Sequence, residues 1–143
     1  MLYRPVTTGK RARWMIVDDD WGVLTLLQKL ATRVTDAEIE CFRAAQDALA
    51  AFEAQPNAFS LVLTDLDMPE MTGLQLCALL RAMSPKLKVL FVTANESLSG
   101  EAALHKGFCG VIRKPFSITE LESALVAAME KKNCGLSPAL APA

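Results

Sequence analysis

Along this chain, short apolar runs alternate with longer stretches of helical spacing. The runs fall at residues 14–17, 37–42, 59–64, 88–93 and 110–113. Three of them are nearly continuous in Val, Ile, Leu or Phe, the pattern of parallel strands buried on both faces. The run AEIECF alternates instead and predicts an edge strand. Between the runs lie helices. Val23, Leu24, Leu27, Leu30, Ala31 and Val34 recur at helical spacing behind Asp20, a residue suited to an N-cap. AAQDALAAFEAQ stops before Pro56, and GLQLCALLRAM stops before Ser84-Pro85, where the residue preceding proline disfavours helix. SLSGEAALHKG predicts a shorter helix, with Gly100 inside it and Gly107 as its C-cap. SITELESALVAAMEKK places Ser117 and Glu120 as a capping box and closes with lysines against the helix dipole.

Five strand–helix units predict an α/β fold: a doubly wound five-stranded parallel sheet, order 2-1-3-4-5, with five helices, of the flavodoxin-like kind. The expected organisation is a flexible arm at 1–11, one domain at 12–132, and an Ala/Pro-rich tail or linker at 133–143. A length of 143 residues suits a single domain.

Composition narrows the function classes. Fifteen basic against sixteen acidic residues give no support to nucleic-acid or anionic-membrane binding. No apolar run reaches the roughly 18–20 residues that span a bilayer, and the N-terminus has no apolar core of the secretory type. Cys41, Cys77, Cys109 and Cys134 form no C-x-x-C pair and share the chain with one histidine, so the expectation is thiols in a reducing cytoplasm rather than a zinc site or a disulfide framework.

The chemically capable residues fall at strand ends. Asp18 and Asp19 follow the first strand, Asp65 follows the third, Thr93 ends the fourth and Lys114 follows the fifth. In the order 2-1-3-4-5 all these ends lie on one edge, with strands one and three adjacent at the switch point where ligands bind. Three carboxylates in one crevice cannot all remain ionised without help. A divalent cation supplies it, and all-oxygen ligands suit magnesium. With Lys114 and the Thr93 hydroxyl added, the set suits a phosphoryl group, with Asp65 as the attacking oxygen.

In this order and spacing, VDDD, LVLTDLDMPEMTGL, FVTA and IRKPF resemble the receiver domain of two-component response regulators, in particular the chemotaxis-type single receiver. The resemblance covers about residues 12–131. It implies that Asp65 is the phosphoacceptor, fed by a histidine kinase or phosphotransfer protein, and that the chain is a signalling domain rather than an enzyme. It further implies a magnesium site made by Asp18, Asp19, Asp65 and the backbone carbonyl of Asp67, with Asp19 a direct ligand and Asp18 acting largely through water. Thr93 becomes the switch hydroxyl, Lys114 the phosphate-binding lysine, and Pro115 the residue after a cis peptide bond. Phosphorylation then changes partner binding through the face of helix four, strand five and helix five. Output is expected through a downstream protein target, a homodimer or a missing output domain, in the cytoplasm and without direct contact to nucleic acid or membrane.

Departures from the pattern are specific. Val111 stands where the family usually has a Tyr or Phe that rotates with the threonine. Asp67 adds a negative side chain near the incoming phosphate, with phosphoryl lifetime as the property it would alter. Thr72 replaces the acidic residue common before Gly73 and has no assigned role. Asp20 is read as a helix cap, Trp21 as either packing the first helix or shielding the site, Met68 and Met71 as packing, and His105 as solvated. Two rival functions remain. One is a receiver-like protein-binding module that does not use phosphate. The other is a haloacid-dehalogenase-type phosphatase built on Asp18-x-Asp20, against which the acids after Lys114, Glu120 and Glu122, lie inside a capped helix. An FMN-binding reading lacks a Ser/Thr/Gly-rich loop after strand one.

Overall fold

The computed structural model describes residues 12–131, so the expected arm and the whole of the expected tail lie outside the described residues. Ten elements alternate: β1 (Arg13–Val17), α1 (Trp21–Ala31), β2 (Glu38–Phe42), α2 (Ala45–Ala54), β3 (Phe59–Thr64), α3 (Gly73–Met83), β4 (Lys88–Thr93), α4 (Gly100–His105), β5 (Gly110–Arg113) and α5 (Ile118–Glu130). The strands form one parallel sheet in the order β2-β1-β3-β4-β5, as the alternation predicts.

Strand side chains alternate between two cores. Met15, Val17, Val62, Val89 and Phe91 meet Phe52 of α2, Leu76 and Leu80 of α3, and Ala103 of α4. Trp14, Ile16, Leu61, Leu63, Leu90 and Val92 meet Leu24 and Leu27 of α1 and Leu121 and Leu125 of α5. A strand buried on both sides must be apolar at every position, which is why the three central runs are nearly continuous. Each fully buried Leu, Ile or Phe in these layers contributes about 1.5–3 kcal/mol relative to exposure. β2 is one of the two edge strands. Its Glu38 and Glu40 carboxylates both bind Arg13 of β1, at 3.1 and 3.2 Å, and charges on an exposed edge discourage pairing with another chain.

Helix ends follow local chemistry. Asp20 caps α1 by accepting from the Gly22 and Val23 N–H groups, and Ser117 with Glu120 forms the predicted capping box of α5. Thr72 and Gln75 form a second capping box on α3, which gives Thr72 its role. Gly107 has φ of 83°, as a residue closing α4 requires. Three expectations need correction. Gly100 opens α4 behind Ser99 as N-cap, so the helix starts three residues after the beginning of SLSGEAALHKG. The α5 carbonyls are served from the sheet: Lys88 Nζ of β4 donates to Ala128 O at 2.8 Å and Met129 O at 3.3 Å, while Lys131 Nζ donates to Cys109 O. Among the cysteines, Cys41 and Cys77 are free, but Cys109 is disulfide-bonded, against the expectation of thiols throughout. Among the described residues no helix is long and apolar enough to cross a membrane.

One glycine is required by a close approach. Gly73 opens α3 directly against the peptide of Asp65, where a Cβ would fall 2.1 Å from the Asp65 carbonyl oxygen. The helix can start there only without a side chain. Gly73→Ala is therefore expected to lose about 2 kcal/mol or more in urea unfolding, through overpacking against backbone. Wild-type stability in this variant would show that the helix start can slide away from Asp65.

Candidate functional site

The carboxyl edge of the sheet builds the site. Ladder hydrogen bonds run one residue past the strands: Asp18 N–H donates to Phe42 O at 3.1 Å, Asp65 N–H to Val17 O at 3.2 Å, and Lys114 N–H to Thr93 O at 3.0 Å. These bonds fix the backbone of each site residue as firmly as the strand before it. Asp18, Asp65 and Thr93 are buried there, while Asp19 is exposed.

Lys114 joins the pieces. Its Nζ donates to Asp18 Oδ2 at 2.7 Å and to Asp65 Oδ2 at 2.8 Å. The second oxygen of each carboxylate is held by backbone: Asp20 N–H donates to Asp18 Oδ1 at 2.9 Å, and Asp67 N–H to Asp65 Oδ1 at 3.2 Å. The Lys114–Pro115 peptide is cis, as expected.

The two carboxylates shift in opposite directions. For Asp18, burial dominates and raises the pKa, against the lowering effects of Lys114 and the Asp20 N–H. For Asp65, burial also opposes charge, but the hydrogen bonds from Lys114, the Thr93 hydroxyl and the Asp67 N–H together prevail and lower the pKa. Burial disfavours the Lys114 ammonium too, yet its bonds to both carboxylates raise its pKa above the ordinary value. Asp65 is thus kept ionised, as a nucleophilic oxygen needs to be.

Carboxylate oxygens of Asp18, Asp19 and Asp65 lie within 4.8 Å of one another. Three negative charges face one lysine, and the donors are all oxygen, so the set fits a hard divalent cation. Asp67 stands differently. Its side chain is exposed, and its Oδ1 accepts from Asn95 Nδ2 at 2.9 Å.

The remaining sequence candidates sort clearly. Asp20 serves as a cap, Glu120 binds the Ser117 N–H at 3.2 Å, and Glu122 pairs with Arg33 at 3.0 Å. None of the three turns toward the pocket, which removes the acids that the phosphatase reading needs. Trp21 is 64% exposed, with the Arg43 guanidinium 5.8 Å from its ring centroid and Arg43 Nη2 donating to Asp19 O at 3.5 Å. The ring stands at the rim of the pocket rather than packing α1 into the core. Met68, Met71 and Val111 pack against the core, and His105 is exposed. The sequence reading missed the roles of Asn95, Arg113 and Arg43. Arg113 lies within the quoted IRKPF run, but all three roles come from contacts between segments far apart in the chain. Gly73 lay within a quoted motif, yet its close approach to Asp65 is a tertiary fact.

Comparison with known proteins agrees with this geometry. The family model described as "Response regulator receiver domain" matches residues 14–126. The DNA-binding transcriptional regulator NtrC of Proteus hauseri is 32% identical over 123 residues, covering 82% of this chain and 25% of that protein. This chain therefore spans about a quarter of that relative's length. The solved structure of the non-phosphorylated HemR receiver domain from Leptospira biflexa aligns with a TM-score of 0.73 at 27% identity, covering 86% of this chain and 98% of that one. A response regulator receiver domain protein from Clostridium thermocellum has a TM-score of 0.74 at 23% identity, over 85% and 96% of the two chains.

The lysine's position carries a stability prediction. Removing it leaves two nearly buried carboxylates side by side, so Lys114→Met should cost about 3 kcal/mol or more in metal-free buffer. Because the folded Lys114 pKa lies above its ordinary 10.5, the contribution is complete below 10.5 and fades only as pH rises through the higher folded value. On the acid side, Asp65 is lowered below 3.8, so its part is present above 3.8 and is lost as pH falls through the lower folded value. Urea unfolding of both proteins across pH should show a constant gap from neutral pH to about 10 that narrows beyond it. A gap that opens only in acid would refute the ion-pair origin.

Proposed function

We propose that this chain, which belongs to the response regulator receiver domain family, accepts a phosphoryl group on Asp65 from a histidine kinase or phosphotransfer protein and changes its partner binding in response. The observation that supports this most is the shared lysine. One cation holds the two buried carboxylates together, and its neighbours keep Asp65 ionised.

In the transfer, an Asp65 oxygen forms the new P–O bond as the P–N bond of the donor phosphohistidine breaks, and the imidazole leaves with the electron pair. Asp18, Asp19, Asp65 and the Asp67 backbone carbonyl would hold magnesium, whose charge offsets the phosphoryl oxygens. Lys114 then exchanges a carboxylate oxygen for a phosphoryl oxygen, and the Thr93 hydroxyl donates to another. That exchange draws Thr93 and the loop behind it toward the phosphate, which biases the face of α4, β5 and α5 between two arrangements. On this reading the chain is a phosphoacceptor rather than an enzyme, and it works in the cytoplasm. Its output passes through a downstream protein, a second copy, or a domain of the kind that the longer relatives carry beyond the matched stretch.

The test is intact mass after incubation with acetyl phosphate and magnesium, beside Asp65→Asn and an EDTA-treated sample. The expected result is a gain of one phosphoryl group, removed by hydroxylamine and absent from both controls. No gain with either acetyl phosphate or a phosphorylated kinase, in folded protein that binds magnesium, would replace this reading with a phosphate-independent binding module.

A further inference from the structure

The acceptor carboxylate stands at one end of a run of hydrogen bonds. Asp67 N–H donates to Asp65 Oδ1 at 3.2 Å. The Asp67 carboxylate accepts from the Asn95 side-chain amide at 2.9 Å. The Asn95 backbone N–H donates to Thr93 Oγ1 at 3.1 Å, and the Thr93 hydroxyl favours the charged form of the Asp65 carboxylate. Asn95 is the hinge of this run, since it touches both Asp67 and Thr93. Yet Asn95 lies in the loop from β4 to α4, where residues 94, 96, 97 and 99 are exposed and Leu98 is the buried apolar anchor.

Arg113 supplies the missing support. It is the strand partner of Thr93 in the β4–β5 pairing. Val111, two residues before it, packs in the core beneath α4, while Ile112 faces α5. Residue 113 therefore projects toward the loop that leads into α4. Its guanidinium reaches two backbone carbonyls of that loop, with Nη1 donating to Asn95 O and Nη2 to Leu98 O. Two nitrogens of one rigid fork thus bind both ends of the turn, which a single ammonium cannot reproduce.

We infer that Arg113 is a positioning residue for the chemistry at Asp65. It acts through Asn95 and holds the Thr93 hydroxyl and Asp67 at the acceptor. This deepens the phosphoacceptor reading and rests on it. It also gives β5 a polar link to the loop before α4, on the same face as Val111.

Two readouts on the whole chain test the inference. Arg113→Met keeps the packed stem and removes the donors, while Arg113→Lys returns one cation with a single nitrogen. Amide hydrogen exchange at Asn95 and Ser97, followed by NMR, reads the loop without any phosphorylation. The Ser97 N–H donates to Asn95 Oδ1 at 2.8 Å, so it reports the same residue. Exchange at both should rise in Arg113→Met, with Arg113→Lys between it and wild type. Labelling by acetyl phosphate should slow by about tenfold in Arg113→Met, the scale expected when a reacting group is left slightly misplaced. Magnesium affinity should stay unchanged, as read from the fluorescence of exposed Trp21. The Arg113→Met/Asn95→Ala double variant should be slowed by less than the product of the two single effects, because Asn95→Ala already removes the link to Asp67 while keeping the backbone link to Thr93. Unchanged exchange would overturn the inference whether or not the chain accepts phosphate. Raised exchange with an unchanged labelling rate, or additive effects in the double variant, would overturn the positioning role. A wild-type chain that no donor labels would remove the phosphoacceptor reading itself, and Arg113's hold on the loop would then stand or fall on exchange alone.

Discussion

One ammonium group between two buried carboxylates is the constraint on which the site depends. Asp18 and Asp65 are covered by the protein, and each would resist ionisation in that setting. Lys114 lies within hydrogen-bonding distance of both and makes the arrangement tolerable. The lysine comes from the far edge of the sheet, so the contact exists only if β1, β3, β4 and β5 are side by side in register. The two apolar layers maintain that register. A strand that slipped by one residue would turn its side chains to the opposite face and move its terminal aspartate out of reach.

The asymmetry between the two carboxylates has a physical origin in their remaining partners. Asp18 receives one backbone N–H besides the lysine, and burial wins. Asp65 receives a backbone N–H and a hydroxyl besides the lysine, and the hydrogen bonds win. Similar burial therefore yields one reluctant anion and one stable anion. The stable one also has Thr93 beside it, and Thr93 is tied to the loop that leads to α4. The charge state of Asp65 and the position of the loop before α4 are joined by a short path of named atoms.

Much of this was legible in the chain. Continuous apolar runs marked the buried strands, and alternation in 37–42 marked the edge. The strand-end positions of Asp18, Asp19, Asp65, Thr93 and Lys114 followed once the strand order was inferred, because parallel strands place all such ends together. What escaped depended on tertiary contact. Nothing local to Lys88 says that it serves the carbonyls at the end of α5. Nothing local to Arg113 says that its side chain reaches two carbonyls across a loop. Residues 97–99 read as the first part of a helix until Ser99 is seen to cap it. Cys109 reads as an ordinary thiol because pairing of cysteines is set by distance in space rather than by spacing in sequence.

The central claim is that the lysine's neighbours divide two similar acids into unlike roles. Carbon-detected NMR titration of the aspartate carboxyl groups in metal-free protein tests this directly. The account predicts Asp65 titrating below the ordinary 3.8 and Asp18 above it, with the separation reduced in Thr93→Val, where Asp65 loses its hydroxyl. Two carboxyls titrating together near 3.8, or Asp65 above Asp18, would contradict it.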